Sequence, residues 1–591
     1  MKPLDAGTGR LCASFDAGSA AWLSLGAPHE RHGFVELSAL PPFNEGDRGN
    51  PEATRRHRRE MTLGRHAFLS VEIDGASPSL AADPSDPAHP RWIGAGVAAE
   101  VEADPDTSVI RQHWAMPAVA GVRIVLRGWI DRPALAEITE LDPPDPTGAV
   151  TTLTIDGETA RWDAPGLPAA AGVSVHGARV AWQWTDGTLI GTLDWPSRPG
   201  MLRFTIEATL GPLPTPSGAS LLRADPTRDR LTERTLAYVR GCTALRVAPD
   251  ERTILTDHRM LPLSWTRDAY WQALALLAAD EPGDRERVAD HLRWLWRRCE
   301  RPDGRWVRSH HANGRRKDLA FQADQQLYPL VELADYWRLT GSLPGGVDWS
   351  VAVAEAWAAA LGAVDPGVGL IASAENAADD PAAAPFIGAS QILLWYAAVR
   401  VAEAAKATGL SIDIAGLAAT AASVRAAFDT RFDGGGPWPY AVDGHALRVA
   451  YHDANDLPVV LAPLWGFCGT TDPAWRATMV FAFSAANPGW FPGARSGLGS
   501  AHTPGAWTLG DVQAWAYARI LGDRDAADAA LTRLEEVAFT DGMLPEAYGA
   551  TDHARIRHWF AWPGAALAAL RLLDTAGHLD DRLAVEATSR R

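Results

Sequence analysis

The chain has 591 residues, of which 47% are hydrophobic and 21% charged, the balance of an ordinary folded protein. Its formal net charge of −17 argues against nucleic acid or an anionic membrane as the main partner. No uninterrupted apolar run reaches the roughly 20 residues that a bilayer span needs.

So long a chain exceeds what one hydrophobic core usually supports, and two domains are expected. The opening MKPLDAGTGRLCASFDAG lacks the cationic stretch and apolar run of a signal peptide. Cys12, Cys242, Cys299 and Cys468 have no paired spacing, so neither a disulfide framework nor a zinc site is expected. A reduced, cytoplasmic setting fits these features. Tryptophan is abundant, 25 against 9 tyrosines, and serves either as bulky core or as platforms for sugar rings.

From Leu11 to about Gly211 the pattern is that of strands. ASFDAGSAAWLSL, FVELSAL, HAFLSVEID, GVRIVLRGWI, AVTTLTID, RVAWQWTDGTLIGTLDW and MLRFTIEATL alternate apolar and polar residues between Gly, Pro, Asp and Asn clusters. Many short strands with almost no helical period predict an antiparallel β-sandwich. The Pro- and Ser-rich GPLPTPSGAS at 211–220 reads as a boundary.

Beyond about Asp225 the period becomes helical. Segments are predicted near 226–243, 267–280, 284–300, 319–341, 349–362, 385–408, 413–431, 454–466, 473–485, 506–521, 524–538 and 558–577. Their connections alternate long and short. Six inner and six outer helices in a closed toroid give this alternation, with the long loops gathered at one end, and long loops are usually functional. The expected architecture is multidomain, a β-sandwich over 1–222 followed by an all-α (α/α)6 barrel over 223–591.

Polar clusters without a place on a solvated helix face fall in or beside the long loops. They are Arg267 and Asp268 in LPLSWTRDAYW, Asp324 in FQADQQLYP, Glu375, Asp379 and Asp380 in IASAENAADDP, Asp453 and Asn455 in YHDAN, and His502 in GLGSAHT. Asp453 or Asn455 could simply cap a helix, as could the acids near 379. GLGSAHT lacks the spacing of a P-loop. The last cluster is Asp541–Trp562, where Glu546 stands between Pro and Ala in a Gly-rich loop, ahead of Arg557, His558, Trp559 and Trp562. Two carboxylates facing each other across a barrel mouth suit glycoside hydrolysis, one protonating the leaving oxygen and one activating water. A carboxyl kept protonated needs burial or a like charge nearby, which neighbouring acids supply. No group has the spacing of a metal site such as HExxH, so metal independence and no cofactor are expected.

These motifs, in this order, resemble glycoside hydrolase family 125, the exo-acting α-1,6-mannosidases. PLSWTRD (262–268) is similar to the family's PAMWLRD, and ADQQLYP (323–329) to LDSLCYP. SAENAADD (373–380) lines up on SGFRPSDD, which carries the family's acid, and HDAN (452–455) on DDAN. NPGWFPGARSGLGSAHT resembles NPYF…G.GSPHT, GMLPEAY resembles GFMHESF, whose Glu is the base, and RHWFAW resembles RSWFAW. The resemblance spans about 257–577 and implies an inverting, metal-independent mechanism. Glu546 would be the base and Asp379 or Asp380 the acid. Arg267, Asp268, Asp324, Asp453, Asn455 and His502 would bind the terminal sugar, with the RHWFAW segment (Arg557, Trp559) as the pocket wall. Glu375-Asn376-Ala377 replaces the family's Phe-Arg-Pro, which makes Glu375 a rival acid.

An N-terminal sandwich is not expected in that family. The bacterial glucoamylase-like enzymes of family 15 have one, and they share WTRD and a Glu in an LPE context, though their WEE-type acid is missing here. Mannose and glucose are therefore both open as the sugar. The sandwich could contribute loops to the mouth or form a homodimer. Other classes remain as alternatives: a phosphorylase, in which phosphate replaces the activated water; an epimerase, for which His310–His311 is the one adjacent pair; and a glycan-binding protein without chemistry.

Overall fold

The computed structural model describes residues 2–40, 50–62, 66–83, 85–105, 107–118, 121–133, 151–167, 169–195, 200–211, 225, 227–552 and 554–577. Two compact units make up the chain. The first comprises Met1–Ser264 with two later segments, His310–Lys317 and Thr540–Gly542; the second comprises Trp265–Ser309, Asp318–Phe539 and Met543–Arg591.

The first unit is built on two antiparallel sheets. Seven strands of the nine-stranded sheet lie side by side in the order Leu4–Gly7, Cys12–Phe15, Trp22–His29, Leu69–Ile73, Val122–Leu126, Thr188–Asp194 and Arg179–Thr185; Gly33–Ser38 also pairs with Trp22–His29 and carries Trp129–Asp131 on its far side. The eight-stranded sheet runs Thr152–Asp156, Thr159–Ala164, Ala169–His176, Met201–Leu210, Ile110–Pro117, Val97–Glu102, Arg91–Gly94 and Ala81–Asp83. Period-two burial is plain in Ile110–Pro117, where Ile110, Gln112, Trp114 and Met116 are buried and their neighbours are not. One hydrophobic core draws on both sheets and takes in Trp22, Trp92, Trp114 and Trp162. The buried Gln112 carboxamide accepts from the indoles of Trp22 (2.7 Å) and Trp114 (3.0 Å), so the one polar side chain facing inward on its strand is satisfied.

Several strands of the eight-stranded sheet escape the sequence pattern. Val97–Glu102, Thr159–Ala164 and Ala169–His176 bury Ala99, Ala160, Ala164, Ala169 and Ala171, and so small an inward residue mutes the contrast between faces. A helix, α1 (Pro51–Thr62), also interrupts the strand-rich region. Of the boundary segment 211–220, residues 212–220 lie outside the described ones. The first unit further contains α2 (Arg230–Tyr238), which continues as a wider turn to Thr243. It also holds a buried ion cluster: Lys2 Nζ lies 2.7 Å from Asp5 and 2.8 Å from Asp541, and Arg234 lies 3.2 Å from Asp541.

The second unit is helical. It contains α3 (Thr266–Ala279), α4 (Asp284–Arg293), α5 (Ala323–Thr340), α6 (Trp349–Leu361), α7 (Gly388–Thr408), α8 (Ile414–Phe432), α9 (Leu457–Val460), α10 (Ala462–Trp465), α11 (Pro473–Ala482), α12 (Thr508–Leu521), α13 (Arg524–Val537) and α14 (Ala561–Thr575). An inner ring closes on itself: α3 packs on α5, α5 on α7, α7 on α9, α9 on α12, α12 on α14 and α14 on α3. The inner α3 is buried without a break from Thr266 to Leu277, whereas the outer α8 buries one stripe, Leu417, Ala421, Val424, Phe428 and Phe432. The architecture is thus a β-sandwich with an (α/α)6-type barrel. The helix expected over 454–466 is two short ones, because Pro458 and Pro463 each start a new turn. Among the described residues no helix is long and apolar enough to cross a membrane.

Candidate active site

All six inner helices start at the end of the barrel where the long loops lie. Their N-cap residues are Trp265, Gln322, Ile387, Asp456, Trp507 and Phe560, and none of these side chains caps its own helix. The outer helices α6, α8, α11 and α13 are instead capped by Asp348, Asp413, Asp472 and Asp523. The starts of the inner helices are held instead by partners from elsewhere in the chain, as where Tyr440 O accepts from Gly388 N at 2.8 Å.

The floor of the site is charged and buried. Arg267 Nη1 donates to Asp324 at 3.0 Å, its Nε lies 3.2 Å from Asp268, and its guanidinium sits 5.4 Å over the Trp562 ring. Burial opposes the charge on Arg267, but Asp268, Asp324 and Asp379 outweigh it and hold the group protonated. Burial also pushes the Asp324 carboxyl above the usual range, against the pull of Arg267. Gln325 takes the place of a cap for α3, its Oε1 accepting from Thr266 N at 2.7 Å.

Above this floor lies the acidic loop. Asn376 closes it, accepting from the amides of Ala378 (2.9 Å) and Asp380 (3.0 Å). Asp379 is held at φ 64°, a left-handed conformation uncommon for a residue with a side chain. Both of its oxygens are oriented: Trp265 Nε1 donates at 3.1 Å and Gln322 Nε2 at 2.6 Å. Asp380 faces His502, whose Nδ1 lies 3.1 Å from Oδ1. Glu375 is gripped by Arg308 at 3.2 Å through both oxygens and receives Gln322 Nε2 at 3.1 Å; burial raises its carboxyl despite Arg308.

The loop before α9 supplies a second acidic pair. Asp453 accepts from Asn455 Nδ2 (2.7 Å), Tyr451 (2.6 Å) and Ser500 (2.8 Å). Burial raises the Asp453 carboxyl, and burial followed by repulsion from Asp453 raises that of Asp456. Ser500 and His502 ride on the Gly-rich loop, where a Cβ on Gly499 would meet Gly505 O at 1.9 Å. The glycines there serve close backbone approach rather than phosphate binding.

Glu546 is 5% exposed and lies on a strand, Pro545–Tyr548, rather than in the loop expected from its glycines. That strand pairs with Ala506–Trp507 on one side and Arg555–Trp559 on the other. Thr508 donates to Pro545 O at 2.7 Å, tying the strand to the start of α12.

A chain of contacts therefore joins Arg267, Asp268, Asp324, Asp379, Asp380, His502, Asp453 and Asn455, while the Glu546 strand is tied in through Trp507, whose ring lies edge-on to His502 at 6.4 Å. Trp559 is 1% exposed and packs edge-on to Phe539, while the Arg557 side chain lies outside the described residues. Trp265, Gln322, Gln325, Arg308, Tyr451 and Ser500 contact the candidate residues or their helix starts, and the motifs did not single them out. The available signal was a helix start whose N-cap position held Trp or Gln in place of Ser, Thr or Asp. Among the described residues no group of three or more His, Cys, Asp or Glu is arranged to hold a metal.

Residues 353–572, which include the acidic loop and Glu546, match the model of the metal-independent alpha-mannosidases, glycoside hydrolase family 125. No curated protein matches the chain. Among solved structures it is similar to a Streptococcus pneumoniae metal-independent alpha-mannosidase bound non-productively to alpha-1,6-mannobiose, at 19% identity over 58% of this chain and 93% of that one, with TM-score 0.51. It is also similar to a bacterial glucoamylase complexed with acarbose, at 11% identity over 98% of this chain and 94% of that one, with TM-score 0.62. At these identities the two structures speak for the fold, and the second covers the sandwich as well as the barrel.

Proposed function

We propose, from the premise that this chain is a glycoside hydrolase related to family 125, that it removes a terminal α-mannose from a glycan with inversion of configuration. The observation that carries the reading is the pairing of Ala547 with Trp507, five residues after His502, which in turn contacts Asp380. A base candidate on the strand before α14 and an acid candidate in the loop before α7 thereby belong to segments that precede different inner helices of one barrel. Glu546 takes the proton of the attacking water, and the Asp379–Asp380 pair protonates the leaving oxygen from the opposite side of the ring. Within the pair we assign the acid to Asp379. Its strained backbone is the kind of outlier that clusters at functional sites, and two N–H donors fix its direction. Asp380 and His502, with Asp453 and Asn455, hold sugar hydroxyls. The buried Arg267, Asp268 and Asp324 supply charged partners for the hydroxyls of a chain end, which supports exo action.

A glucosidase is the second reading, favoured by the likeness to the glucoamylase along nearly the whole chain. The deciding experiment is hydrolysis of α-1,6- and α-1,2-mannobiose, isomaltose, maltose and trehalose, with NMR of the first-released anomer and with Glu546→Gln in parallel. Release of β-mannose from a mannobiose is expected, and Glu546→Gln should lower kcat by about 10²–10⁴. First release of the α-anomer would overturn inversion, glucose release alone would select the second reading, and a requirement for phosphate would make the enzyme a phosphorylase.

A further inference from the structure

The site holds a carboxylate that the two-acid scheme does not use. Glu375 stands where the resembling motif has Phe, so this charge is the chain's own addition next to the acid. It is not a loose surface group. Arg308 meets both of its oxygens at 3.2 Å, and the other end of the same guanidinium binds Asp318. Gln322 is fully buried, and its amide is used at both ends. Nε2 donates to Glu375 at 3.1 Å and to Asp379 at 2.6 Å, while Oε1 accepts from Gln325 at 3.1 Å and from Arg267 at 3.4 Å. An amide donates from nitrogen and accepts at oxygen, so this arrangement admits one orientation only. Glu375 and Asp379 thus share one donor, and moving or neutralising either changes what the other feels.

We propose that Glu375 is a positioning residue which, with Arg308 and through Gln322, orients the acid Asp379 and adjusts the electrostatic field at its carboxyl. The inference rests on Asp379 being the acid. Other charges act on that carboxyl: Arg267 at the start of α3, Asp324 at the start of α5 and Arg308 before α5, while Asp268 pairs with Arg267, Asp318 with Arg308, and the adjacent Asp380 with His502. Against this background Glu375 and Arg308 act with opposite signs. A nearby negative charge discourages ionisation of the acid, and a nearby cation encourages it. Burial keeps Glu375 less ready to ionise than an open glutamate, so Arg308 is needed to hold its charge beside Asp379.

The test is the pH dependence of kcat/KM for the wild type, Glu375→Gln, and Arg308→Met and Arg308→Lys in the Glu375→Gln background, with Asp379→Asn as control. Glu375→Gln leaves the cation and removes the anion, and the basic limb should move down by about one pH unit. In the Glu375→Gln background, where no carboxylate is left for Arg308 to hold charged, Arg308→Met should move it up, and Arg308→Lys should bring it back toward the position of Glu375→Gln. A purely structural role lowers kcat without moving the limb, so an unmoved limb, or two shifts of the same sign, overturns the proposal. If Arg308→Met is poorly folded by thermal melting, the downward shift in Glu375→Gln decides alone. Full activity in Asp379→Asn would instead remove the acid assignment itself, an outcome distinct from failure of the Glu375 shift.

Discussion

His452 shows how burial turns one residue into a pH-dependent stability element. It lies directly before Asp453, is 2% exposed, and its Nε2 is 2.9 Å from Gln513 Oε1. An amide oxygen only accepts, so this ring nitrogen carries the hydrogen. Burial lowers the imidazole from 6.5 to about 4. The unfolded chain therefore binds a proton as pH falls through 6.5, whereas the folded chain does not until about 4. In that window this histidine withdraws about 1.4 kcal/mol of stability per pH unit, and above it the effect vanishes. Denaturant unfolding at pH 7 and pH 5 should thus show the wild type losing more stability than His452→Gln; equal losses would contradict the assignment. The same physics at Asp324, Asp453 and Asp456 runs the other way, since burial raises their carboxyls.

Among the elements, the Gly-rich loop before α12 depends on backbone contact. Gly499 nearly touches Gly505, and Gly510 in α12 lies against Leu498, where a Cβ would come within 2.2 Å of the carbonyl oxygen. The nearest obstacle in each case is a main-chain carbonyl oxygen, which cannot swing aside as the end of a flexible side chain can, and at Gly499 the Phe491 ring adds a second at 2.7 Å. Gly499→Ala should therefore displace Ser500 and His502, lower stability by about 1–3 kcal/mol, and raise KM more than it lowers kcat. Steady-state kinetics with thermal melting checks this; an unchanged KM would mean that the loop's position does not matter for binding. The inner helices show why sequence rules missed some site residues. A helix start is normally found by its Ser, Thr or Asp cap, but here Trp265, Gln322 and Trp507 occupy the cap positions and none of them caps its own helix.

For the whole molecule, the sandwich-bearing unit gathers chain from distant parts of the sequence. Asp541 belongs to it although the segments on either side belong to the barrel, and there it meets Lys2 and Arg234 while Lys2 also holds Asp5. These charges are buried, so removing one partner leaves others uncompensated. Asp541→Asn should destabilise the protein by about 3–5 kcal/mol, measured by denaturant unfolding, whereas an exposed pair such as Arg161–Asp163 should contribute well under 1 kcal/mol.

The sequence by itself determined the order of elements, the change from strand to helix, the alternation of loops and most of the charged site, because these follow from periodicity and from polar residues that no solvated face explains. Asp379, Asp380 and Glu546 stand out as candidates in this way. Tertiary structure alone decided the rest. Alanine-rich strands such as Ala169–His176 become visible only once a facing sheet buries them. Glu546 sits on a strand because Ala506–Trp507 and Arg555–Trp559 pair with it from far along the chain. Gln322 acquires its role only when Asp379, Glu375, Gln325 and Arg267 converge on one amide. Hydrogen-bond partners separated by fifty residues leave no local period to read, so spatial convergence, not pattern, distinguishes Gln322 from the glutamines beside it.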